Sequence, residues 1–399
     1  MTASIEFFPV GNGDMTLIRL ASGKTILVDI NIRKKADSDN EPDYPDVASM
    51  LKDRLERDPD NGNLPYVDVF MLSHPDQDHC GGLREHFHLG APSQWGSPED
   101  GKPEKILIRE MWSAPLTFRR KDKVDGGLTA DAEAWRDEAK RRVKLKKGGE
   151  EKASLYGNLI RVLGEDVHDK TEGIEDVVVN VGDTLSEICG EADSSFTALL
   201  LSPKIVSEEE AEELAGKNNS SIVMQFSLAA GEKAVDEQVA ARFLTGGDAE
   251  VDIWKRVWGR NESEPENLSY HVLQTPHHCS LGVLSHDQYS DRDGKKGKGE
   301  ECEIDDEAYS ALSQAESGTF IVSSCEKPEA NTGKDLAWRK YEEIAADHEG
   351  KKLCTMVDSP DKPLKITITD NGPSTTENKS IVGAIPPKVE KGTSEKPYA

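Results

Sequence analysis

The feature that most constrains this chain is an apolar segment that ends in four closely spaced ionisable side chains. Residues 66–72 form an apolar run of the kind that becomes a buried β-strand. The chain then passes into His74, Asp76, Asp78 and His79. Imidazole nitrogens and carboxylate oxygens bind divalent cations, and a loop at a strand end can direct alternate side chains towards two neighbouring ions. The segment therefore predicts a metal site, against the alternative of an exposed acidic loop whose aspartates cap turns.

Two further strand ends carry side chains of the same type. Residues 243–245 lead into Asp248, and residues 272–274 lead into the pair His277 and His278. Each cluster alone is weak evidence, because an aspartate after a strand is usually a turn or capping residue. Three such strand ends in one chain form a more specific pattern, and together they favour the metal site over the acidic loop.

The rest of the chain alternates short strands with helices, which is typical of an α/β protein. Strands are predicted at residues 4–10, 15–20, 25–30, 66–72, 106–108, 177–181, 197–201, 221–226, 242–245, 270–274, 319–323, 353–356 and 364–369. Helices are predicted near residues 46–57, 304–315 and 334–347. Residues 97–172 are interpreted as a charged, mainly helical insertion, and residues 371–399 as a flexible C-terminal tail.

Composition narrows the class of protein. The chain has 399 residues with a formal net charge of -26, and no stretch approaches the roughly 20 apolar residues of a membrane helix. The N-terminus lacks the pattern of a secretory signal, and the six cysteines include no Cys-x-x-Cys pair, so we expect reduced thiols in a cytoplasmic protein. The negative charge disfavours nucleic-acid binding through bulk electrostatics, although bound metals can reverse the field inside a cleft.

The predicted insertion contains a local cluster of basic residues. They are Arg119, Arg120, Lys121, Lys123, Lys140, Arg141, Arg142, Lys144, Lys146 and Lys147. Such clusters are most often solvated helix faces. The alternatives are a patch that follows the phosphates of a single strand, or a surface through which the insertion contacts a protein partner.

The His-x-Asp-x-Asp-His spacing of residues 74–79 resembles the metal motif of the metallo-β-lactamase superfamily, in the branch where aspartate replaces the second histidine. The likeness is greatest to the metallo-β-lactamase domain of ComEC-type competence proteins and their stand-alone relatives. The matching segments follow in the same order at residues 10–14, 26–29, 73–82, 218–223, 244–250 and 275–280. The resemblance implies that residues 1–370 form one hydrolase domain, a four-layer αββα sandwich with the metals at one edge.

The resemblance also implies a set of metal ligands. One metal would be held by His74 and Asp76, the other by Asp78, His79 and a histidine of the 277–278 pair, and both by Asp248. Within the pair, His277 is favoured over His278 because the ligand usually lies nearest the strand end.

Three other positions are implied as weaker ligands or as residues that orient the ligands. Asn219 stands where many members of the superfamily place a further histidine, and Asp29 and Asp14 would orient ligands from behind. The sequence departs from the pattern by one extra glycine, since residues 246 and 247 are both glycine before the bridging aspartate. An extra glycine at this point can shift the bridging carboxylate.

The resemblance implies a hydrolase that uses two divalent ions, Zn or Mn with Mg as a further option, and a hydroxide that bridges them. Because Asp76 replaces an imidazole, the site favours hard cations such as Mn and Mg more than a histidine-rich site would. Asp78 is the predicted catalytic residue, which would steer or accept the hydroxide proton. The residues that bind substrate are not predicted.

The substrate class follows from the same likeness, because the ComEC domain is regarded as a nuclease. A phosphodiesterase or nuclease that acts on single-stranded nucleic acid or another phosphodiester is the expected function. Two alternatives stay open: a hydrolase of a small ester, amide or lactone, and a metal-stabilised, non-catalytic subunit of a larger complex. Fold alone does not choose between the two enzymes, since the same site supports both.

Overall fold

A computed structural model describes residues 1–33, 45–96, 104–115, 127–164, 171–204, 218, 220–231, 233–287 and 302–375. Its strands are β1 (Ser4–Phe7), β2 (Thr16–Arg19), β3 (Thr25–Val28), β4 (Ile30–Asn31), β5 (Glu56–Asp58), β6 (Leu64–Leu72), β7 (Phe87–His88), β8 (Ile106–Ser113), β9 (Leu159–Leu163), β10 (Val178–Val179), β11 (Thr184–Leu185), β12 (Glu187–Ile188), β13 (Glu191–Ala192), β14 (Phe196–Ser202), β15 (Val223–Leu228), β16 (Ala241–Thr245), β17 (Tyr270–Gln274), β18 (Ala315–Ser323), β19 (Lys351–Cys354), β20 (Leu364–Thr369) and β21 (Gly372–Thr375). Its helices are α1 (Val47–Lys52), α2 (Gln77–Cys80), α3 (Leu83–His86), α4 (Ala130–Lys147), α5 (Val251–Asn261), α6 (Asp306–Leu312), α7 (Gly333–Asp347) and α8 (Thr355–Asp358). The protein is therefore of mixed α/β type, as predicted.

Most of the strands belong to two large sheets. The first has the order β10-β9-β8-β6-β3-β2-β1-β20-β21, with β5 and β7 paired at its side, and the second has the order β11-β14-β15-β16-β17-β18-β19. One hydrophobic cluster takes side chains from both sheets, and Phe7 of β1 meets Phe243 of β16 edge to face with ring centroids 5.8 Å apart. The apolar faces of the two sheets thus pack against each other.

Helices cover the other face of each sheet. On the first sheet, Trp135 of α4 packs on Phe70 of β6 at a ring-centroid distance of 4.8 Å, within a second hydrophobic cluster. On the second sheet, Trp254 of α5 and Tyr341 of α7 are buried with Leu273 of β17 in a third cluster. Each sheet is therefore buried on both faces, which explains why its central strands read as continuous apolar runs.

The region interpreted as an insertion is part of the sheet. β8 pairs in parallel with β6, and β9 pairs in parallel with β8, so residues 97–172 supply two strands of the first sheet. Thr129 accepts a hydrogen bond from the backbone N–H of Ala132 and begins α4, which packs over these strands. The many charged residues of α4 made this packing difficult to predict from the sequence. Only a few residues of the helix, such as Trp135 and Ala139, belong to the hydrophobic cluster beneath it.

Some of the basic residues of α4 make internal contacts, whereas Lys140, Lys144 and Lys147 are exposed. Arg142 is buried and donates to the backbone oxygens of Ile108 at 3.0 Å and Leu159 at 2.9 Å. Arg141 pairs with Glu138 at 2.6 Å. Lys146 pairs with Asp176 at 2.6 Å. Residues 119–123 of the predicted basic cluster lie outside the described part of the chain. The solvated-face interpretation was therefore incomplete for α4.

Two boundaries differ from the sequence-based expectations. The helix predicted near 46–57 ends at Lys52, because residues 56–58 pair with β6 as strand β5. The predicted tail begins with β21, which pairs antiparallel with β20, and residues 376–399 lie outside the described residues. In both places pairing with the adjacent strand along the chain overrode the local pattern.

Two general expectations concern thiols and membranes. All six cysteines are described, and none is joined to another in a disulfide. Among the described helices, none has the length and apolar character required to cross a membrane.

Candidate metal centre

Three strands of the two sheets end close together and bring the predicted ligands to one place. β6 ends at Leu72, β16 at Thr245 and β17 at Gln274, and β16 and β17 run in parallel. The backbone N–H of Ile222 donates to the Ser73 carbonyl oxygen at 3.0 Å, which ties the second sheet to the loop after β6. The side chains that follow these strand ends therefore converge at a shared edge.

One oxygen of Asp248 faces a first group of side chains, which we call subsite A and which consists of Asp78, His79 and His278. Asp248 Oδ1 lies 2.9 Å from His79 Nε2 and 3.5 Å from His278 Nε2. His278 Nε2 in turn lies 3.3 Å from His79 Nε2 and 3.4 Å from Asp78 Oδ2. Four ligand-type atoms of four residues are thus gathered around one point.

The other oxygen of Asp248 faces a second group, subsite B, which consists of His74, Asp76 and His277. Asp248 Oδ2 lies 3.5 Å from His74 Nε2 and 3.7 Å from His277 Nε2. His74 Nε2 also lies 3.8 Å from Asp76 Oδ2. Asp248 therefore stands between the two subsites, with one carboxylate oxygen directed to each.

Asp29 contacts the imidazole of His79 at Nδ1, the ring nitrogen that faces away from Asp248. Its carboxylate lies 2.8 Å from His79 Nδ1 and accepts hydrogen bonds from the backbone N–H of Ser73 at 2.7 Å and from its hydroxyl at 2.6 Å. The Ser73 hydroxyl also lies 3.1 Å from His74 Nδ1. Contacts at Nδ1 fix the orientation of each ring and leave Nε2 for a ligand role.

Asp14 lies at the corresponding side of His278, at ion-pair distance and without a hydrogen bond of good geometry. Asp14, His79, Asp248 and His278 are all buried, and one ligand-type atom from each lies within 4.8 Å of the others. Asp14 Oδ1 faces His278 Nδ1 at 3.3 Å, on the opposite side of the ring from Nε2. Its position is compatible with orienting the imidazole, which is the role that the resemblance implies for Asp14 and Asp29.

The buried carboxylates stabilise positive charge at this place. Burial alone would lower the pKa of His278, but Asp14 and Asp248 outweigh burial and raise that pKa to about 9. Burial is likewise outweighed for His79, whose pKa lies well above its usual value mainly because of Asp248. For Asp78, burial would raise the pKa, but the hydrogen bond with His278 and the charge of His79 bring it below its usual range. A cation site requires an environment of this kind.

The residues present fit divalent metal ions. His74 Nε2 is completely buried and forms no hydrogen bond within the described structure, which is unusual for a buried polar atom. Ligands placed about 2.0–2.2 Å from a tetrahedral Zn²⁺ lie about 3.3–3.6 Å from one another. The pairs around His278 Nε2, at 3.3, 3.4 and 3.5 Å, have that spacing.

The additional glycine before Asp248 is required by close packing. A Cβ atom on Gly247, which has φ +49°, would lie 2.5 Å from the Ser73 hydroxyl oxygen, and one on Gly246 would lie 2.6 Å from the ring of Trp254. Only glycine fits at both positions. The carboxylate of Asp248 still lies between the two subsites.

The placement of the histidine pair differs from the preference for His277. His278, and not His277, stands beside Asp78 in subsite A, while His277 is the neighbour of Asp248 in subsite B. The physical reason is the tight turn at residues 276–279, in which both histidines and Cys279 have left-handed backbone conformations with φ angles of 50°, 51° and 68°. This turn directs the ring of His278 to subsite A and the ring of His277 to subsite B. Proximity to the strand end does not predict that arrangement. Asn219 lies outside the described residues.

Two residues near the site were not singled out from the sequence. Ser73 contacts both Asp29 and His74, and its position directly before the motif was the only signal for it. Glu250 Oε1 lies 3.6 Å from His277 Nδ1 and accepts a hydrogen bond from Asn218 at 2.7 Å. An acidic residue two positions after Asp248 was the corresponding signal.

Comparisons with known proteins give little further information. No protein-family model matches the sequence, and neither does any curated protein. Among solved structures, an isothiocyanate hydrolase from Delia radicum gut bacteria matches with 11% identity and a TM-score of 0.34, over 90% of this chain and 98% of that chain. A possible metal-dependent hydrolase from Veillonella parvula DSM 2008 matches with 8% identity and a TM-score of 0.33, over 87% of this chain and 93% of that chain. TM-scores this low do not establish a shared fold, and the ComEC-type resemblance stays a prediction.

Proposed function

We propose that this protein is a hydrolase that depends on two divalent metal ions, of the metallo-β-lactamase type, and that its substrate is a phosphodiester. The observation that most supports the proposal is the position of Asp248, whose two oxygens face separate groups of imidazoles and carboxylates. Two sheets packed face to face, with helices on their outer faces, support a four-layer αββα sandwich of that type.

The proposed ligands differ from the sequence-based set in one respect. His278 joins Asp78 and His79 at subsite A, and His277 joins His74 and Asp76 at subsite B. Asp248 is shared. Oxygen ligands in both subsites favour Mn or Mg, and the imidazoles also suit Zn. When bound, such ions act as Lewis acids on the phosphoryl oxygens and activate water near neutral pH.

The residues of the chain itself orient the reactants. The side chain of Asp78 is 43% exposed, so it faces both subsite A and the solvent from which substrate arrives. Because the pKa of Asp78 lies below the usual range, Asp78 stays ionised and orients the attacking water by accepting a hydrogen bond from it, while the proton that the water loses passes to the solvent beside Asp78. Asp29 and Ser73 keep the rings of subsites A and B aligned behind it.

The function is tested with a panel of substrates. Purified protein loaded with Mn or Zn is incubated with single-stranded DNA, RNA, bis-p-nitrophenyl phosphate and simple esters, and initial rates are measured. We expect turnover of the phosphodiesters. Turnover of esters alone would replace the proposal by a small-ester hydrolase, and no turnover with metals bound would favour a non-catalytic subunit.

Asp29→Asn is expected to weaken metal binding about 10–100-fold, the usual effect of removing a carboxylate that orients a metal-binding histidine. Asparagine tolerates the positive φ of 55° at this position, so the backbone is preserved. Competition with a chromogenic chelator measures the affinity. Asp60→Asn, on an exposed turn, is the matched control, and equal affinities for both variants would show that Asp29 does not orient a ligand.

His278→Ala and His277→Ala separate the two histidines. We expect His278→Ala to lower the metal content from about two ions per chain to about one, because His278 is the central imidazole of subsite A. His277→Ala should retain more metal, because its side chain is 28% exposed and lies at the edge of subsite B. Elemental analysis of both proteins after dialysis gives the stoichiometry. The reverse order of metal loss would restore the preference for His277.

A further inference from the structure

We propose that a pocket beside Asp78 binds a second anionic group of the substrate, a phosphate next to the scissile one, between Arg33 and Arg84. The inference rests on the proposed hydrolase and specifies its substrate class. The pocket has a volume of about 610 Å³ and is lined by Asp78 together with both arginines. Small-molecule sites typically measure about 300–1,000 Å³. The pocket therefore accommodates a group of nucleotide size that extends away from the metal centre.

Arg84 is held in place on one wall of the pocket. Its Nε donates to Asp131 Oδ1 at 3.1 Å, and 58% of its side chain is exposed. Asp131 also accepts hydrogen bonds from the backbone N–H groups of Arg84 at 3.1 Å and Gly82 at 3.2 Å. A guanidinium has four more N–H donors in a planar fork that suits phosphate. Asp131 thus positions Arg84 while its own charge is offset by several donors.

Arg33, which also lines the pocket, is held in place as well. Its Nη2 donates to the backbone oxygen of Asn12 at 2.8 Å, and the Asn31 side chain donates to that same oxygen at 2.9 Å. The guanidinium also lies close over Gly11, where a Cβ atom would stand 3.1 Å from Nη2. Because the arginine is positioned before a ligand arrives, less conformational entropy is lost when it binds one.

An anion at this pocket would depend on the two arginines together with the metal ions of the proposed centre. The chain carries a formal net charge of -26, and the lining sets three carboxylates, Asp78, Glu85 and Asp131, against the two guanidiniums. Bound divalent ions beside Asp78 would add the positive charge that the lining itself lacks. On α4, Arg141 and Arg142 are engaged with Glu138 and with backbone oxygens, which leaves them poorly suited to following a nucleic-acid strand. The pocket's volume of about 610 Å³ accommodates one flanking nucleotide.

The test compares defined dinucleotides with Mn-loaded protein. The substrates are thymidylyl-thymidine and its derivatives with an added 5′-phosphate or an added 3′-phosphate. We expect one added phosphate to raise kcat/KM about tenfold. In the double variant Arg33→Gln/Arg84→Gln, that ratio should fall to about one. A wild-type ratio near one for both derivatives, or a ratio that survives the double substitution, would overturn the proposal.

A matched variant controls for the loss of positive charge. Arg339 has a side chain that is 45% exposed and pairs with Asp335 at 3.6 Å, much as Arg84 pairs with Asp131. Arg339→Gln should keep the wild-type ratio. A ratio lowered equally by Arg339→Gln would show a general charge effect and would count against the pocket.

A binding measurement separates this proposal from the proposed hydrolysis. Calorimetric titration with thymidine 3′,5′-bisphosphate should show binding to wild-type protein and a loss of at least about tenfold in affinity for the Arg33→Gln/Arg84→Gln variant. If no phosphodiester is hydrolysed but this difference is found, the hydrolase proposal fails and the anion pocket stands. If hydrolysis occurs and both proteins bind the bisphosphate equally, the pocket fails and the hydrolase stands.

Discussion

Replacing Asp248 by asparagine is expected to lower phosphodiester hydrolysis about a thousandfold and to reduce the metal content below two ions per chain. Asparagine keeps the size of the side chain but offers a single neutral oxygen, so it cannot serve both subsites as the two carboxylate oxygens do. Rates on bis-p-nitrophenyl phosphate and elemental analysis measure the two effects.

The control for this variant is the same substitution outside the site. Asp252→Asn changes an exposed carboxylate four residues further along, in the first turn of α5. We expect the activity and metal content of this variant to match those of the wild type. Full activity of Asp248→Asn with two bound ions would contradict the role assigned to Asp248, whatever the substrate.

The second large effect is expected at the buried ion pair of α4. Arg142 and Glu138 are almost completely buried and lie 2.8 Å apart. Arg142→Met should lower the free energy of unfolding by about 2–4 kcal/mol, since it removes one charged partner of the buried Glu138, which keeps Arg141 at 2.6 Å. It also removes the donors to the backbone oxygens of Ile108 and Leu159 in β8 and β9. Urea unfolding followed by far-ultraviolet circular dichroism measures the change.

Lys144→Met is the matched control, because Lys144 is an exposed residue of the same helix. Its free energy of unfolding should stay within about 0.5 kcal/mol of the wild type, as for most surface substitutions. If Arg142→Met lowers the free energy of unfolding by a similarly small amount, the stability of the first sheet does not depend on the contacts that Arg142 makes from α4.

The strands and the candidate site could be predicted where a run of apolar residues in the sequence is also buried in the fold. The run in β6 is apolar because helices and a second sheet cover both of its faces, and the motif that follows it is recognisable by the spacing of His74, Asp76, Asp78 and His79 alone. Predictions failed where a few contacts override composition. The charges of α4 suggested an insertion, yet β8 and β9 complete the first sheet beneath it.

By itself, the sequence determined the α/β class, the strand ends that carry metal-binding side chains, and the presence of more ligand-type residues than one ion needs. The tertiary structure decided which of those residues lie in subsite A and which lie in subsite B. Only the convergence of β6, β16 and β17 directs the two oxygens of Asp248 to different neighbours, and only the turn at residues 276–279 sends His277 and His278 to different subsites. The reason is physical: ligand type is a property of one side chain, whereas coordination depends on distances between side chains far apart in the chain.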